Sequence, residues 1–303
     1  MEIFVNAGFG DPIHREMAED IAAMGFDGVR TDALFAGPHG QPPRLIFEDI
    51  LADTYEACAN AGLKLQWLIS RPLETGPIPI GEAVDRIENL RLGAHSFDVG
   101  MEFNHSKARY SPGTAVALIN ACKDVAGSIP VSATLTNNMG RDALTFASQC
   151  FREGLRCDAI GLHPYKTTVK PWEPARGSGW SSREEEWSAW QELAAQYGVA
   201  LWAPEWGYHC GVSNVPAPGL WGKLGRRVKL SYTEDQQREF TEFELFDQRE
   251  RGVQMSGVFQ YNDAADSATN PNHEAHYGMR RADDSHKPVV DAIRLVQRKQ
   301  RGE

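Results

Sequence analysis

Ser96-Phe97-Asp98-Val99-Gly100-Met101-Glu102-Phe103-Asn104-His105 is a short apolar run that ends in a glutamate beside an asparagine and a histidine. It lacks the strict in-out alternation of a half-exposed strand, which marks a strand covered on both faces. A second run of the same build, Leu201-Trp202-Ala203-Pro204-Glu205-Trp206-Gly207, also closes on a glutamate. If the two strands lie side by side in one parallel barrel, both carboxylates emerge at the same rim and face one cleft.

Working outward, short apolar runs at 3–7, 28–31, 64–69, 97–101, 130–134, 159–162, 200–203 and 257–261 read as strands. Between them lie segments with apolar residues three and four apart: 14–24, 47–61, 83–92, 114–126, 142–153, 183–197, 234–251 and 288–300. Ser111-Pro112 supplies a cap and a first-turn proline, and Gly25, Gly62, Gly154, Gly198 and Gly252 stop helices. Strand-helix alternation from end to end predicts an α/β chain folded as a (β/α)8 TIM barrel, one catalytic domain over 1–303. A doubly wound open sheet is the rival. No Gly-x-Gly-x-x-Gly follows the first strand, so nucleotide binding has no support. Segments 166–182 and 211–231 are rich in Pro, Gly, Trp or Arg and read as insertions on the catalytic rim.

The 303 residues are 42% hydrophobic and 24% charged, enough apolar mass for a large core. A net charge of −10 without a long basic run argues against a nucleic-acid partner. No apolar stretch approaches the roughly 18 residues of a membrane span, so no membrane partner is expected. The first residues run straight into a strand, which predicts a cytoplasmic chain as written, or a secreted one if a leader has been removed. Cys58, Cys122, Cys150, Cys157 and Cys210 have no paired spacing and read as free thiols.

In such a barrel the strand ends carry the chemistry. Those positions hold Asn6, Arg30 with Asp32, the run Trp67 to Arg71, Glu102 with Asn104 and His105, Asn137, His163 with Tyr165, Glu205 with Trp206, and Tyr261 with Asp263. Aromatic rings for sugar faces and fixed polar groups for hydroxyls make this a set suited to carbohydrate. A carboxyl pair across the cleft is the equipment for cutting a glycosidic bond.

Gly28-Val29-Arg30, Glu102-Phe103-Asn104, Gly161-Leu162-His163-Pro164-Tyr165 and Pro204-Glu205-Trp206-Gly207, in that order, resemble the retaining glycoside hydrolases of clan A. The likeness is nearest to the family 5 and family 39 type. Tyr277-Gly278-Met279-Arg280 and His286-Lys287-Pro288 resemble the clan's approach to its last helix. The resemblance implies Glu102 as acid/base and Glu205 as nucleophile, with Arg30 and Tyr165 orienting Glu205. It implies substrate contacts from Arg30, Trp67, Asn104, Asn137, His163, Tyr165, Trp206 and Tyr261, an oligo- or polysaccharide partner, no metal and no cofactor. One departure stands out: Met101 occupies the place where the clan usually has an asparagine on the sugar 2-hydroxyl. Two other readings remain open. A metal-dependent sugar isomerase or epimerase would gather Glu102, His163, Glu205 and Asp263 around one ion, and a silent barrel would bind carbohydrate without turnover.

Bland roles are expected elsewhere. Trp187 and Trp190, three apart on a helix, read as core. Trp172, Trp180 and Trp221 sit in the rim insertions, as sugar subsites or loop anchors. Arg226-Arg227 reads as a solvated surface.

Overall fold

The computed structural model describes residues 1–7, 12–32, 34–35, 44–45, 48–71, 76–104, 110–136, 138–165, 170–174, 178–216, 227–263 and 276–303. In chain order the strands are β1 (Glu2–Asn6), β2 (Gly28–Asp32), β3 (Leu34–Phe35), β4 (Arg44–Leu45), β5 (Lys64–Ile69), β6 (Ser96–Val99), β7 (Val131–Thr134), β8 (Ala159–Gly161), β9 (Ala200–Trp206), β10 (Gly211–Pro216), β11 (Arg227–Tyr232) and β12 (Met255–Phe259). The helices among the described residues are α1 (Arg15–Met24), α2 (Glu48–Asn60), α3 (Ile80–Leu90), α4 (Pro112–Ala126), α5 (Arg141–Arg152), α6 (Arg183–Tyr197), α7 (Glu234–Glu250) and α8 (Val289–Arg301).

Eight strands close into a parallel barrel in the order β1-β12-β9-β8-β7-β6-β5-β2, a (β/α)8 barrel. Local signals place the helices. Ser111 caps α4 by accepting from the Thr114 N–H at 3.1 Å, with Pro112 in the first turn. Thr233 and Gln236 form a reciprocal capping box at the start of α7. Between barrel and helices runs one continuous apolar shell that includes Ile3, Val5, Val29, Trp67, Val99, Ile160, Trp187, Trp190, Trp206 and Ile293.

The barrel interior is separate and layered. Phe4, Ala159, Trp202 and Met255 form a small apolar cluster of their own, drawn from β1, β8, β9 and β12. Asn6 and Arg30, each two residues beyond Phe4 and Gly28 along their strands, lie in the next layer, and Asp98, Ser132 and Thr134 join the same polar network. The barrel thus turns from apolar to polar toward the carboxyl ends of its strands, so the chemistry collects there.

The insertion at 211–231 contains an antiparallel ribbon, β10 paired with β11. Within the insertion at 166–182, Trp172 stands edge-on to Phe240 and Phe243 of α7. Trp180 donates to the Met139 carbonyl at 2.6 Å. Trp221 and Arg226 lie outside the described residues.

Candidate active site

Glu205 sits inside β9, and it faces the barrel axis because β9 carries an irregularity. Pairing with β12 runs Ala203 to Ser256 and then Trp206 to Val258, so two residues of β9 oppose Gly257 alone. Simple alternation from inward-facing Trp202 would turn Glu205 outward. The extra residue reverses the parity and aims its carboxylate at the axis. A side chain at position 257 would meet the Pro204 carbonyl oxygen at 2.1 Å, so the bulge requires glycine opposite it. Asn6 Nδ2 holds the same carbonyl at 3.0 Å.

Once inside, Glu205 is gripped from two sides. Arg30 Nη1 donates to Oε2 at 2.9 Å, and the Tyr165 hydroxyl donates to Oε1 at 3.0 Å. Arg30 is itself fixed: Nη1 also donates to Asn6 Oδ1 at 2.6 Å, and Nε and Nη2 donate to Asp98 Oδ2 at 3.0 and 2.8 Å. Burial alone would raise the Glu205 carboxyl. The charges of His163 and Arg30, with the Tyr165 and Arg30 hydrogen bonds, outweigh it and hold the group below the ordinary carboxylate range. Burial and the Glu205 charge push the Tyr165 phenol far up, so it stays a donor.

Glu102 arrives differently. β6 ends at Val99, and Gly100 at φ 93° starts a tight turn. The Phe103 ring folds over that glycine, where a side-chain carbon would lie 2.1 Å from it. Glu102 then takes φ 54°, a left-handed conformation uncommon outside glycine and a recurrent mark of functional positions. Its Oε1 lies 3.0 Å from His163 Nδ1. His163 is fully buried. Burial disfavours its cationic form, but Glu205 and Glu102 outweigh that and raise the imidazole above its ordinary value. His163 is therefore the electrostatic link between the two carboxylates.

The structure brings Glu102, Glu205, Arg30, His163 and Tyr165 together. Asn104 follows Glu102 in the same turn, anchored by its N–H on the Leu135 carbonyl at 3.0 Å. Asn137 lies outside the described residues. Three aromatic expectations are not met; for Trp67 and Trp206 strand parity is the reason, and for Tyr261 it is the partners of its hydroxyl. Arg30 points inward with Gln66 as its register partner, so Trp67 points outward, edge-on to Tyr55 of α2. Trp206 follows inward-facing Glu205 and is buried behind the barrel, its Nε1 donating to Ser256 Oγ at 2.9 Å. The Tyr261 hydroxyl donates to Asp20 of α1 at 2.8 Å and is tied up beneath Arg280. A half-buried aromatic next to Tyr165 is instead Phe259 at the end of β12, edge-on to Tyr165 and Tyr277. Sequence reading passed over Phe259 and Tyr277, although Phe259 closes a strand and Tyr277 lies in a segment that carries the resemblance. Asp98 was also missed, because one acid inside an apolar run carries no signal of its partner.

The metal-site set does not converge. Asp263 is held by Lys287 Nζ at 2.7 Å and by the Gly278 N–H. Among the described residues no three His, Cys, Asp or Glu side chains are placed to hold an ion.

No protein-family model matches the sequence, and no curated protein matches it. Solved structures do match in fold. A family 39 glycoside hydrolase from the gut symbiont Bacteroides cellulosilyticus superposes with a TM-score of 0.71 at 13% identity, over 98% of this chain and 63% of that one. This chain therefore spans less than two thirds of that enzyme. A GH128 endo-β-1,3-glucanase of Amycolatopsis mediterranei, solved with laminaripentaose, gives 0.58 at 14% identity over 97% and 99% of the two chains. Cel5A of Thermotoga maritima, solved with mannotriose, gives 0.62 at 14% identity over 96% and 97%. At such identities the likeness is one of fold: the chain shares the (β/α)8 barrel of these glycoside hydrolases.

Proposed function

We propose that this chain is a retaining glycoside hydrolase, cleaving O-glycosidic bonds of an oligo- or polysaccharide with Glu205 as nucleophile and Glu102 as acid/base. The observation that carries the reading is the asymmetric treatment of two carboxylates at one barrel rim. One is clamped by a guanidinium and a phenol, and the other faces an imidazole. In the first step a Glu205 oxygen attacks the anomeric carbon as the bond to the leaving oxygen breaks and Glu102 delivers its proton to that oxygen. Arg30 and Tyr165 keep Glu205 oriented and anionic until it reacts. Forming the glycosyl ester removes the Glu205 charge, one of the charges that raise His163, so the imidazole then holds its proton less tightly. In the second step Glu102 takes a proton from water, the hydroxide oxygen bonds to the anomeric carbon, and Glu205 leaves. Phe259, in place of Trp67, Trp206 or Tyr261, offers the aromatic surface for a sugar face.

Folds shared with enzymes solved with laminaripentaose and mannotriose support a trial panel of β-1,3-glucan and mannan oligosaccharides. Proton NMR of the first product formed from an active substrate tests the mechanism. The anomer matching the substrate supports it, and the opposite anomer rejects double displacement. The metal-dependent reading is disfavoured because Arg30 already occupies one face of Glu205 and Asp263 is committed to Lys287.

A further inference from the structure

The scheme above makes no use of Asp98, yet Asp98 is fully buried in the barrel. Its carboxylate accepts four hydrogen bonds: Arg30 Nε and Nη2 at 3.0 and 2.8 Å on Oδ2, and Ser132 Oγ and Thr134 Oγ1 at 2.7 and 2.6 Å on Oδ1. A buried anion costs free energy that space-filling alone would not require. Its effect is on Arg30, a single cation between two carboxylates. Two guanidinium nitrogens serve Asp98, and the third serves Glu205 and Asn6.

We propose that Asp98 is a positioning residue that divides the charge of Arg30, so that the guanidinium orients Glu205 but neutralises it only in part. The proposal rests on Glu205 being the nucleophile. With Asp98 neutral, the guanidinium charge would act on Glu205 alone. A carboxylate stabilised in that way attacks the anomeric carbon more slowly in the first step and leaves more readily in the second. The charged and titratable groups around Glu205 are Arg30 from β2, His163 and Tyr165 beyond β8, Glu102 beyond β6, Tyr277 behind Tyr165, and Asp98 of β6 behind Arg30. Of these, Asp98 touches Glu205 only through Arg30. A purely structural role would therefore predict the opposite sign: loosening Arg30 would remove a cation from Glu205.

Asp98→Asn tests this with little change of shape. The amide oxygen can face Arg30 while the amide nitrogen donates to the Ser132 and Thr134 hydroxyls. The measurement is the 13C titration of the Glu205 side-chain carboxyl, assigned by its disappearance in Glu205→Gln. In Asp98→Asn the midpoint is expected to move down by about half a pH unit or more. With an aryl glycoside, release of the aryl group should slow and hydrolysis of the glycosyl-enzyme should quicken. A midpoint that stays or rises overturns the proposal. Thr134→Val is the second variant and should fold even if Asp98→Asn does not. Losing one donor strengthens the hold of Asp98 on Arg30, so the Glu205 midpoint is expected to rise, and no movement or a fall overturns the proposal. Wild-type hydrolysis by Glu205→Gln would instead remove the nucleophile, and the proposal with it, whatever the titration shows.

Discussion

Glu205 and Glu102 share a rim but not a setting. Glu205 lies within a barrel strand, aimed by a bulge and held at both oxygens by Arg30 and Tyr165. Glu102 lies beyond the end of its strand, in a turn pinned by Phe103 over Gly100, and meets an imidazole that can take or give a proton. A group that must attack benefits from fixed geometry and constant charge, whereas a group that must trade a proton needs a partner that titrates. The contrast teaches that the surroundings, and not the residue type, distinguish two chemically identical side chains.

The largest effect that could break this contrast comes from Glu205→Gln. It keeps the size of the side chain but removes the proposed nucleophile, and kcat is expected to fall on the order of 10⁴-fold or more. Near-normal hydrolysis in a steady-state assay would end the assignment. Glu102→Gln should cost about 10²- to 10⁴-fold on a substrate with a poor leaving group. With a dinitrophenyl glycoside, which needs no proton on departure, the first step should be nearly spared. Equal losses on both substrates would show that Glu102 is no acid.

The smallest effect is on stability against pH, and it sharpens the same contrast. The Glu205 carboxyl lies below its ordinary 4.5, so its contribution is fully present above pH 4.5 and is lost as pH falls through the folded value. The His163 imidazole lies above its ordinary 6.5, so its contribution is fully present below pH 6.5 and is lost as pH rises through the folded value. Both are complete between 4.5 and 6.5. Thermal melts across pH should therefore show Glu205→Gln flattening the acid side and His163→Asn the alkaline side. An alkaline side unchanged by His163→Asn would remove the imidazole from the linkage.

The barrel was legible in the sequence because its signals are local. The run expected at 64–69 is β5 to the residue, and the helix expected at 183–197 is α6 to the residue. The cap at Ser111 was readable for the same reason. The site was legible only in part. Arg30, Glu102, His163, Tyr165 and Glu205 stand at strand ends, and a parallel barrel gathers strand ends at one rim. Trp67 and Trp206 stand there too, but one residue of parity turns each toward the helices, where both are fully buried.

By itself, then, the sequence determined the alternation of strands and helices, the closed parallel barrel that this alternation favours, and the rim to which both glutamates come. Hydrophobic periodicity and capping act between near neighbours, and so they can be read from neighbours. Only the tertiary structure decided which strand-end side chains face the axis, that the bulge opposite Gly257 turns Glu205 inward, and that Asp98 shares Arg30 with it. Those facts depend on register and on contacts between residues as far apart as Arg30 and Glu205, which no local pattern of residues encodes.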